Sequence, residues 1–465
     1  MSLDNLPLPT GFSARNSATI VANPREAMVR TPPPATSVTP PPPAGTRPRV
    51  PKFTPAEPRT LVEAGLTDGD VERLVLKLLL FRGTSTGRGV AEQLHLPRPM
   101  IVEALERLRA ELLVAIKGSA GLEDFAFQLT EAGMDRASRL AKQSSYAGVA
   151  PVRLEDYMRA VELQSLAKSR LSLDRLRHTF RDFRLSPTLI NQLGQSLNDG
   201  RGLFLYGPPG NGKTSISELA VEAFGEYVWI PHTINIDGEL VRLFDPRSHV
   251  PAEPARLEGV SYDRRWVLIR RPTIVVGGEL AMHQLDLQLN AATGICEAPV
   301  QLRANCGALV VDDFGRQRMP TSEILNRLIV PMEKQRDYLN LPSGRQVSAP
   351  FDLLLVFSTN LEPKELVDEA FLRRIPYKIE VHGPDEREFV DLFMDLAAKA
   401  GCTCDADAVN RLIEHHYRAV HRPLRYCHPR DLLRQVRNYC EFHSRPLSVT
   451  RETLEVAVTN YFAGL

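Results

Sequence analysis

The sequence predicts an α/β fold, a parallel sheet covered on both faces by helices, with an all-helical segment after it and a smaller helical domain before it. Three observations carry that prediction. From about Leu173, apolar strands alternate with amphipathic helices. The strand GLFLY (Gly202 to Tyr206) runs straight into the glycine-rich GPPGNGKTS and then into a helix. The run ALVVDDFGR (Ala308 to Arg316) has the pattern of a buried strand, yet ends in two adjacent aspartates.

At 465 residues the chain exceeds one compact core. Residues 1–58 hold 14 of the 36 prolines, including TPPPATSVTPPPP, with almost no aromatic residue. Such a segment cannot bury enough to offset its ordering entropy, so a disordered Pro-rich tail is expected, a spacer ahead of a docking peptide. Lys and Arg total 57 against 56 Asp and Glu, so no bulk charge argues for nucleic acid or an anionic membrane. No apolar run approaches the roughly 18 residues of a membrane span. The start MSLDNLPLPT lacks a basic stretch leading into an apolar core, and a cytoplasmic location is expected. Six cysteines in this length are too sparse for a disulfide framework.

Residues 59–145 read as helices with a small wing. Thr67 can cap a helix whose core face is Val71, Leu74, Leu78 and Leu79; a short helix follows at Val90 to Leu94, and Pro99 opens a third. Two short strands in LLVAIKGSAGLEDFAFQLT precede a helix capped by Thr130. The pattern resembles a winged helix-turn-helix domain. On its third helix Arg98, Arg107 and Arg109 are cancelled by Glu103, Glu106 and Glu111, so a protein-docking or scaffold role is expected ahead of DNA reading. Residues 146–172 read as a linker, 173–382 as the α/β nucleotide-binding domain and 383–465 as a helical lid.

The strand, loop, helix context of Gly207, Pro208, Pro209, Gly210, Asn211, Gly212, Lys213, Thr214 and Ser215 fits a phosphate-binding loop. Glycines let backbone N–H groups converge on phosphates, Lys213 can reach the β and γ oxygens, and the Thr214 hydroxyl suits Mg²⁺. ATP and Mg²⁺ are the expected cofactors. At the end of a neighbouring buried strand Asp312 is the expected Mg²⁺ carboxylate. Asp313 stands where many ATPases carry the glutamate that polarises water, one methylene shorter. Its alternative reading is a cap for the next helix.

Further on, a third apolar strand ends in Asn360, DEAFLRRIPYKIEV carries Arg373 and Arg374, and HPRDLLRQVRNYC puts Arg430 at a helix start. The order of phosphate loop, acidic strand, strand-end Asn, paired Arg and late Arg resembles the AAA+ ATPases over about residues 175–465. The resemblance implies that Asn360 positions water and the γ-phosphate. It implies that Arg373 or Arg374 reaches a neighbouring subunit's nucleotide, that Arg430 reads the γ-phosphate in its own subunit, and that the chain forms a homo-oligomeric ring. For each arginine the plainer reading is a surface ion pair. With RRWVLIRRPTIVVGGEL, VVDDFGRQR and FSTNLEPKELVDEAFLRRIPYKIEV, the chain from about residue 60 is similar to a bacterial family labelled predicted ATPase with chaperone activity, associated with Flp pilus assembly. That resemblance implies a protein client, with pilus or secretion components as candidates. A DNA-acting helicase-loader or transposition-helper ATPase and a slow nucleotide-gated switch are the alternatives.

Two insertions stand out: about 90 residues between the phosphate loop and Asp312, with a turn at Asp237-Gly238, and a hairpin at Asp337 to Phe351. Arg264, Arg265, Trp266, Arg270 and Arg271 read as an interface or solvated face ahead of a single-strand nucleic acid surface. The late cysteines and histidines lack zinc spacing, and buried thiols are expected, with Cys427 and Cys440 on apolar helical faces.

Overall fold

The computed structural model describes residues 53–121 and 124–463. The Pro-rich tail expected at 1–58 lies outside the described residues up to Lys52. Five parallel strands, β1 (Leu203–Tyr206), β2 (Thr273–Val276), β3 (Ala308–Val311), β4 (Leu354–Thr359) and β5 (Tyr377–Glu380), form the central sheet in the order β2-β3-β4-β1-β5. Every residue of β3 and β4 is buried, the reason β3 and the first four residues of β4 read as apolar runs rather than alternating ones. Val311 pairs with Phe357 and Thr359 with Tyr206, so the carboxyl ends of β3, β4 and β1 meet at one edge.

The two faces are sorted by the strand's period of two. Leu203, Leu205, Val310 and Val356 pack with Leu193 of helix Pro187–Asp199 and Ile216 and Ala220 of α1 (Lys213–Glu222). Phe204, Leu309, Val311 and Phe357 pack with Leu325, Leu328 and Ile329 of α2 (Thr321–Lys334). Phe204, Phe314 and Phe357 form a ring cluster with centroids 4.9–5.9 Å apart, which anchors the turn after β3. Truncating one such buried ring to Ala costs about 3–5 kcal/mol.

The long insertion builds a second sheet. Thr233–Ile236 and Glu239–Arg242 form a hairpin across Asp237 and Gly238, both at positive φ (51° and 93°), as a two-residue turn of the primed type requires. Val152–Arg153 joins the hairpin's outer edge in parallel, and Ile295–Glu297 and Gln288–Asn290 extend the other side. The expected later hairpin is Arg336–Asn340 against Gln346–Pro350. Its base is held by buried Asp337, which accepts from Arg327 Nη1 at 2.6 Å and Gln301 Nε2 at 2.8 Å.

In residues 61–143, helices Asp68–Arg82, Gly87–Leu94, Arg98–Ala110 and Glu131–Gln143 pack on an antiparallel sheet. Thr67 and Asp70 form a capping box, and the Thr130 hydroxyl accepts from Gly133 N. The sheet has three strands rather than two: Thr84–Thr86 pairs with Phe125–Leu129, which pairs with Val114–Ser119. Three residues are too few to show alternation. This region is tied through Arg265 to the strand Trp266–Arg270, which pairs with Tyr227–Pro231 apart from the second sheet. That side chain, 3% exposed and paired with Asp263 at 2.7 Å, donates Nη1 to Ala64 O (2.7 Å) and Pro151 O (3.1 Å). Arg265 therefore faces neither solvent nor a partner, and Arg271 is also turned inward, donating to Cys306 O at 2.5 Å.

The C-terminal segment packs helices α3 (Glu386–Lys399), α4 (Ala406–Ile413), α5 (His428–Phe442) and α6 (Arg451–Tyr461) around Phe389, Phe393, Tyr417 and Val436. The sequence predicts helices alone here. The segment also carries a two-residue parallel pair, Thr403–Cys404 with Ser448–Val449, which closes the loops before α4 and α6. Among the described residues no helix is long and apolar enough to cross a membrane.

Candidate active site

The loop between β1 and α1 bends where only glycine is at ease. Gly207, Gly210 and Gly212 lie at φ 127°, 83° and 79°. A Cβ on Gly207 would stand 2.7 Å from Val381 O, and one on Gly210 2.5 Å from Cys427 Sγ. Gly212 is the N-cap of α1, and no side chain caps that helix. The first-turn N–H groups of an α-helix have no partner within it, so they are available to an anion.

Five side chains meet at this loop: Lys213 and Thr214 from the first turn of α1, Asp312 and Asp313 after β3, and Asn360 after β4. Lys213 Nζ donates to Gly207 O (2.8 Å), Pro208 O (3.1 Å) and Asn360 Oδ1 (2.7 Å). Thr214 Oγ1 donates to Asp312 Oδ2 at 3.0 Å. Asn360 Nδ2 donates to Asp313 Oδ1 at 3.3 Å. The sheet order explains the meeting: β4, which runs out into Asn360, lies between loop-bearing β1 and acid-bearing β3. Burial pushes the Lys213 pKa down, opposed by the Asp312 and Asp313 carboxylates.

The turn after β3 fixes the two aspartates. Asp313 adopts φ 48°, a left-handed conformation that Asp tolerates, and its N–H donates to Asp312 Oδ1 at 3.0 Å. Phe314 N donates to Ser358 O, and the Thr359 hydroxyl to Phe314 O, both at 2.8 Å. The next helix, α2, begins at Thr321 with Pro320 as its N-cap, so Asp313 caps no helix.

Lys213, Thr214, Asp312, Asp313 and Asn360 line one cavity of about 480 Å³, which Arg430 borders from the first turn of α5. Arg430 is exposed and pairs with Asp431 at 3.1 Å. Arg373 and Arg374 do not line this cavity. They end the short helix Glu369–Arg374, exposed, and pair with Glu369 (2.9 Å) and Glu333 (3.2 Å). Exposed pairs of this kind contribute about 0–1 kcal/mol and do not hold the side chains in place.

Five further lining residues do not follow from the sequence as part of the site: Phe183, Ser358, Leu396, Tyr426 and Cys427. Cys427 N donates to Gly210 O at 3.0 Å, and Tyr426 N to Asn211 Oδ1 at 3.3 Å. Cys427 thus abuts the phosphate-type loop, half-buried at the N-cap of α5, rather than lying on an apolar helical face. Only the position of Tyr426-Cys427 just before HPRD could have pointed to them. All six cysteines are free thiols, and among the described residues no group of three or more His, Cys, Asp or Glu is arranged to hold a metal ion.

The donor set fits a magnesium nucleotide. Thr214 and Asp312 offer hard oxygens side by side, the ligand type Mg²⁺ takes while keeping water and phosphate oxygens for its other positions. Lys213 and the start of α1 offer an ammonium and N–H donors to phosphate. The glycines at 207 and 210 leave the backbone approach open that a Cβ would fill.

Residues 385–460 match a family model described as a domain of unknown function (DUF8689). No curated protein matches the sequence. Among solved structures, the chain is similar to the RuvB Holliday junction branch migration motor of Thermotoga maritima at 14% identity, with a TM-score of 0.37 over 62% of this chain and 73% of that one. A point variant of the same RuvB gives 13% identity and a TM-score of 0.38, over 62% and 73% of the two chains. At such identities and scores the likeness carries no activity or substrate across.

Proposed function

We propose that this chain is a Mg²⁺-dependent ATP hydrolase of the AAA+ kind that assembles as a homo-oligomeric ring and remodels or assembles a protein partner. The observation that carries the reading is Asn360, hydrogen-bonded to Lys213 on one side and Asp313 on the other, beside the Thr214–Asp312 pair. In this reading the loop from Gly207 to Ser215 cradles the triphosphate, and Lys213 offsets charge on its outer oxygens. Thr214 and Asp312 hold Mg²⁺. Bound Mg²⁺ would neutralise charge developing on the phosphates. Asp313 takes the proton of the attacking water while Asn360 orients it, and Arg430 reads the bound nucleotide from α5. Arg373 or Arg374 serves a neighbouring copy.

A protein client is favoured over DNA by the helix Arg98–Ala110. Arg107 is engaged by Asp68 (2.6 Å) and Glu72 (3.3 Å), and Arg109 by Glu106 (2.9 Å), so carboxylates balance these cations locally and the helix presents no net basic face. A phosphate backbone would have to displace those partners. The chaperone-like role toward pilus or secretion components rests on the sequence resemblance.

The test is ATP turnover of the full chain with Mg²⁺ and with a chelator, beside Lys213→Ala. Turnover that requires both Mg²⁺ and Lys213 supports the reading, and wild-type turnover no faster than Lys213→Ala sinks it. Strong, salt-sensitive stimulation by duplex or single-stranded DNA would move the client assignment to the DNA-acting alternative.

A further inference from the structure

Outside the nucleotide cavity, the C-terminal segment carries a second cavity of about 370 Å³ between α3 and α5. Its floor is apolar: Leu396, Ala400, Leu433 and Leu447. Its rim is cationic. Arg430, Arg434 and Arg437 follow the i, i+4, i+7 spacing that puts three side chains on one face of α5. Arg434 and Arg437 are exposed, and among the described residues neither pairs with a carboxylate. Arg430, by contrast, is engaged by Asp431 at 3.1 Å, so the positive charge the rim leaves to a partner comes from Arg434 and Arg437.

We infer that this groove docks an acidic amphipathic segment of a partner protein, its apolar side chains on the leucine floor and its carboxylates on Arg434 and Arg437. The charges select the sign of the partner. The floor selects its class, because phosphodiesters gain nothing from four apolar side chains with no aromatic ring among them to stack a base. Helix-in-groove docking needs this combination of apolar anchors and a charged border. Arg430 and Leu396 line both this groove and the nucleotide cavity, so an occupied groove and an occupied nucleotide site share a wall. The coupling, unlike the docking, rests on the ATPase reading.

The probe is a synthetic amphipathic helix with leucines at i, i+3, i+4 and i+7 and glutamates between them, beside the same peptide with lysine for glutamate. Fluorescence anisotropy with the full chain should show the acidic peptide binding at least 10-fold more tightly than the basic one. Arg434→Glu with Arg437→Glu should reverse that order, and Arg434→Ala with Arg437→Ala should weaken the acidic peptide about 10-fold. Both residues are exposed, so an unchanged urea midpoint is expected in each double variant. Equal affinity for the two peptides, or acidic binding unchanged in the double variants, overturns the proposal. Loss of self-association in the charge-reversed variant, with no peptide bound by wild type, would instead assign the groove to a second copy. Loss of oligonucleotide binding in that variant would assign it to nucleic acid, and either result overturns it too. The coupling is read separately: Mg-ATP should shift peptide affinity in wild type and not in Lys213→Ala, whereas docking itself should survive in Lys213→Ala.

Discussion

The Asn360 amide donates to the Asp313 carboxylate at 3.3 Å while its carbonyl accepts from Lys213 at 2.7 Å. In the proposed reading, one strand-end side chain therefore sets the distance between the group that would meet phosphate and the group that would take a proton from water. Removing either end of the Asn360–Asp313 contact should slow chemistry without releasing nucleotide. General base catalysis contributes roughly 10² to 10⁴ in rate. Asp313→Asn is expected to lower ATP turnover by about that range while nucleotide affinity stays within a few-fold of wild type. Asn360→Ala should do the same to a smaller degree. Single-turnover hydrolysis beside equilibrium nucleotide binding separates the two; tight binding lost in Asp313→Asn would remove it from the proton-taking role.

Asp313→Glu probes reach. The added methylene carries the carboxylate further from a backbone fixed at φ 48°, where Glu is less tolerated than Asp. If the shorter acid matches this site, Asp313→Glu should turn over no faster than wild type. A several-fold gain would show that wild type is held slow by its own side chain, the behaviour of a nucleotide-gated switch.

The Arg265–Asp263 pair should be the costliest charge to disturb in the join between residues 61–151 and the segment that leads into Trp266–Arg270. Both members are nearly buried, at 3% and 5% exposure. Asp263→Ala leaves a guanidinium without its carboxylate, a loss of about 3–5 kcal/mol. Adding Arg265→Met should recover part of it, since replacing both charges by an apolar group removes the desolvation cost. Urea unfolding of the single and double variants checks the order. A single variant as stable as wild type would mean that the pair is not what holds the join.

Acid should destabilise the C-terminal segment through His428. Burial, then repulsion from Arg425 and Arg422, pushes its pKa down from 6.5 to about 4. Tyr417 Oη lies 3.1 Å from its Nδ1. Between pH 6.5 and about 4 the unfolded chain binds this proton and the folded chain does not. Stability is therefore full above pH 6.5 and falls as pH drops toward 4, by at most about 3 kcal/mol from this group. The difference in urea midpoint between wild type and His428→Gln, followed from pH 7.5 to 4.5, should shrink as pH falls. A difference that does not change with pH would show that His428 does not titrate in this way.

The main site was legible because its parts are local. A strand, a glycine loop and a helix in sequence leave little freedom, and Asp312 and Asn360 announce themselves as polar residues directly after largely apolar strands. What was not legible was made by contacts across the chain. Cys427 meets Gly210 only because the C-terminal helices fold back on the loop. Arg265 looked like a surface cation because nothing near it in sequence shows that Ala64 O and Pro151 O wait for it. Thr84–Thr86 and Val152–Arg153 are strands too short to carry a period, defined by their partners alone.

Arg373 and Arg374 give the sharpest test of the ring. Neither lines the cavity of its own chain, and each has only an exposed carboxylate for company. A finger acting on a neighbour's nucleotide should therefore be replaceable in trans. Arg373→Ala and Arg374→Ala should bind nucleotide normally, and the one that is the finger should lose turnover by about 10³ or more. Lys213→Ala should be inactive for a different reason, since it cannot hold triphosphate. Mixing the two inactive proteins lets a subunit with an intact loop sit beside one with an intact finger, so mixed assemblies should regain part of wild-type turnover. The regained activity should rise with total protein concentration, as assembly does. If the mixture stays as inactive as its parts while light scattering shows that they co-assemble, the arginines act within their own chain or not at all.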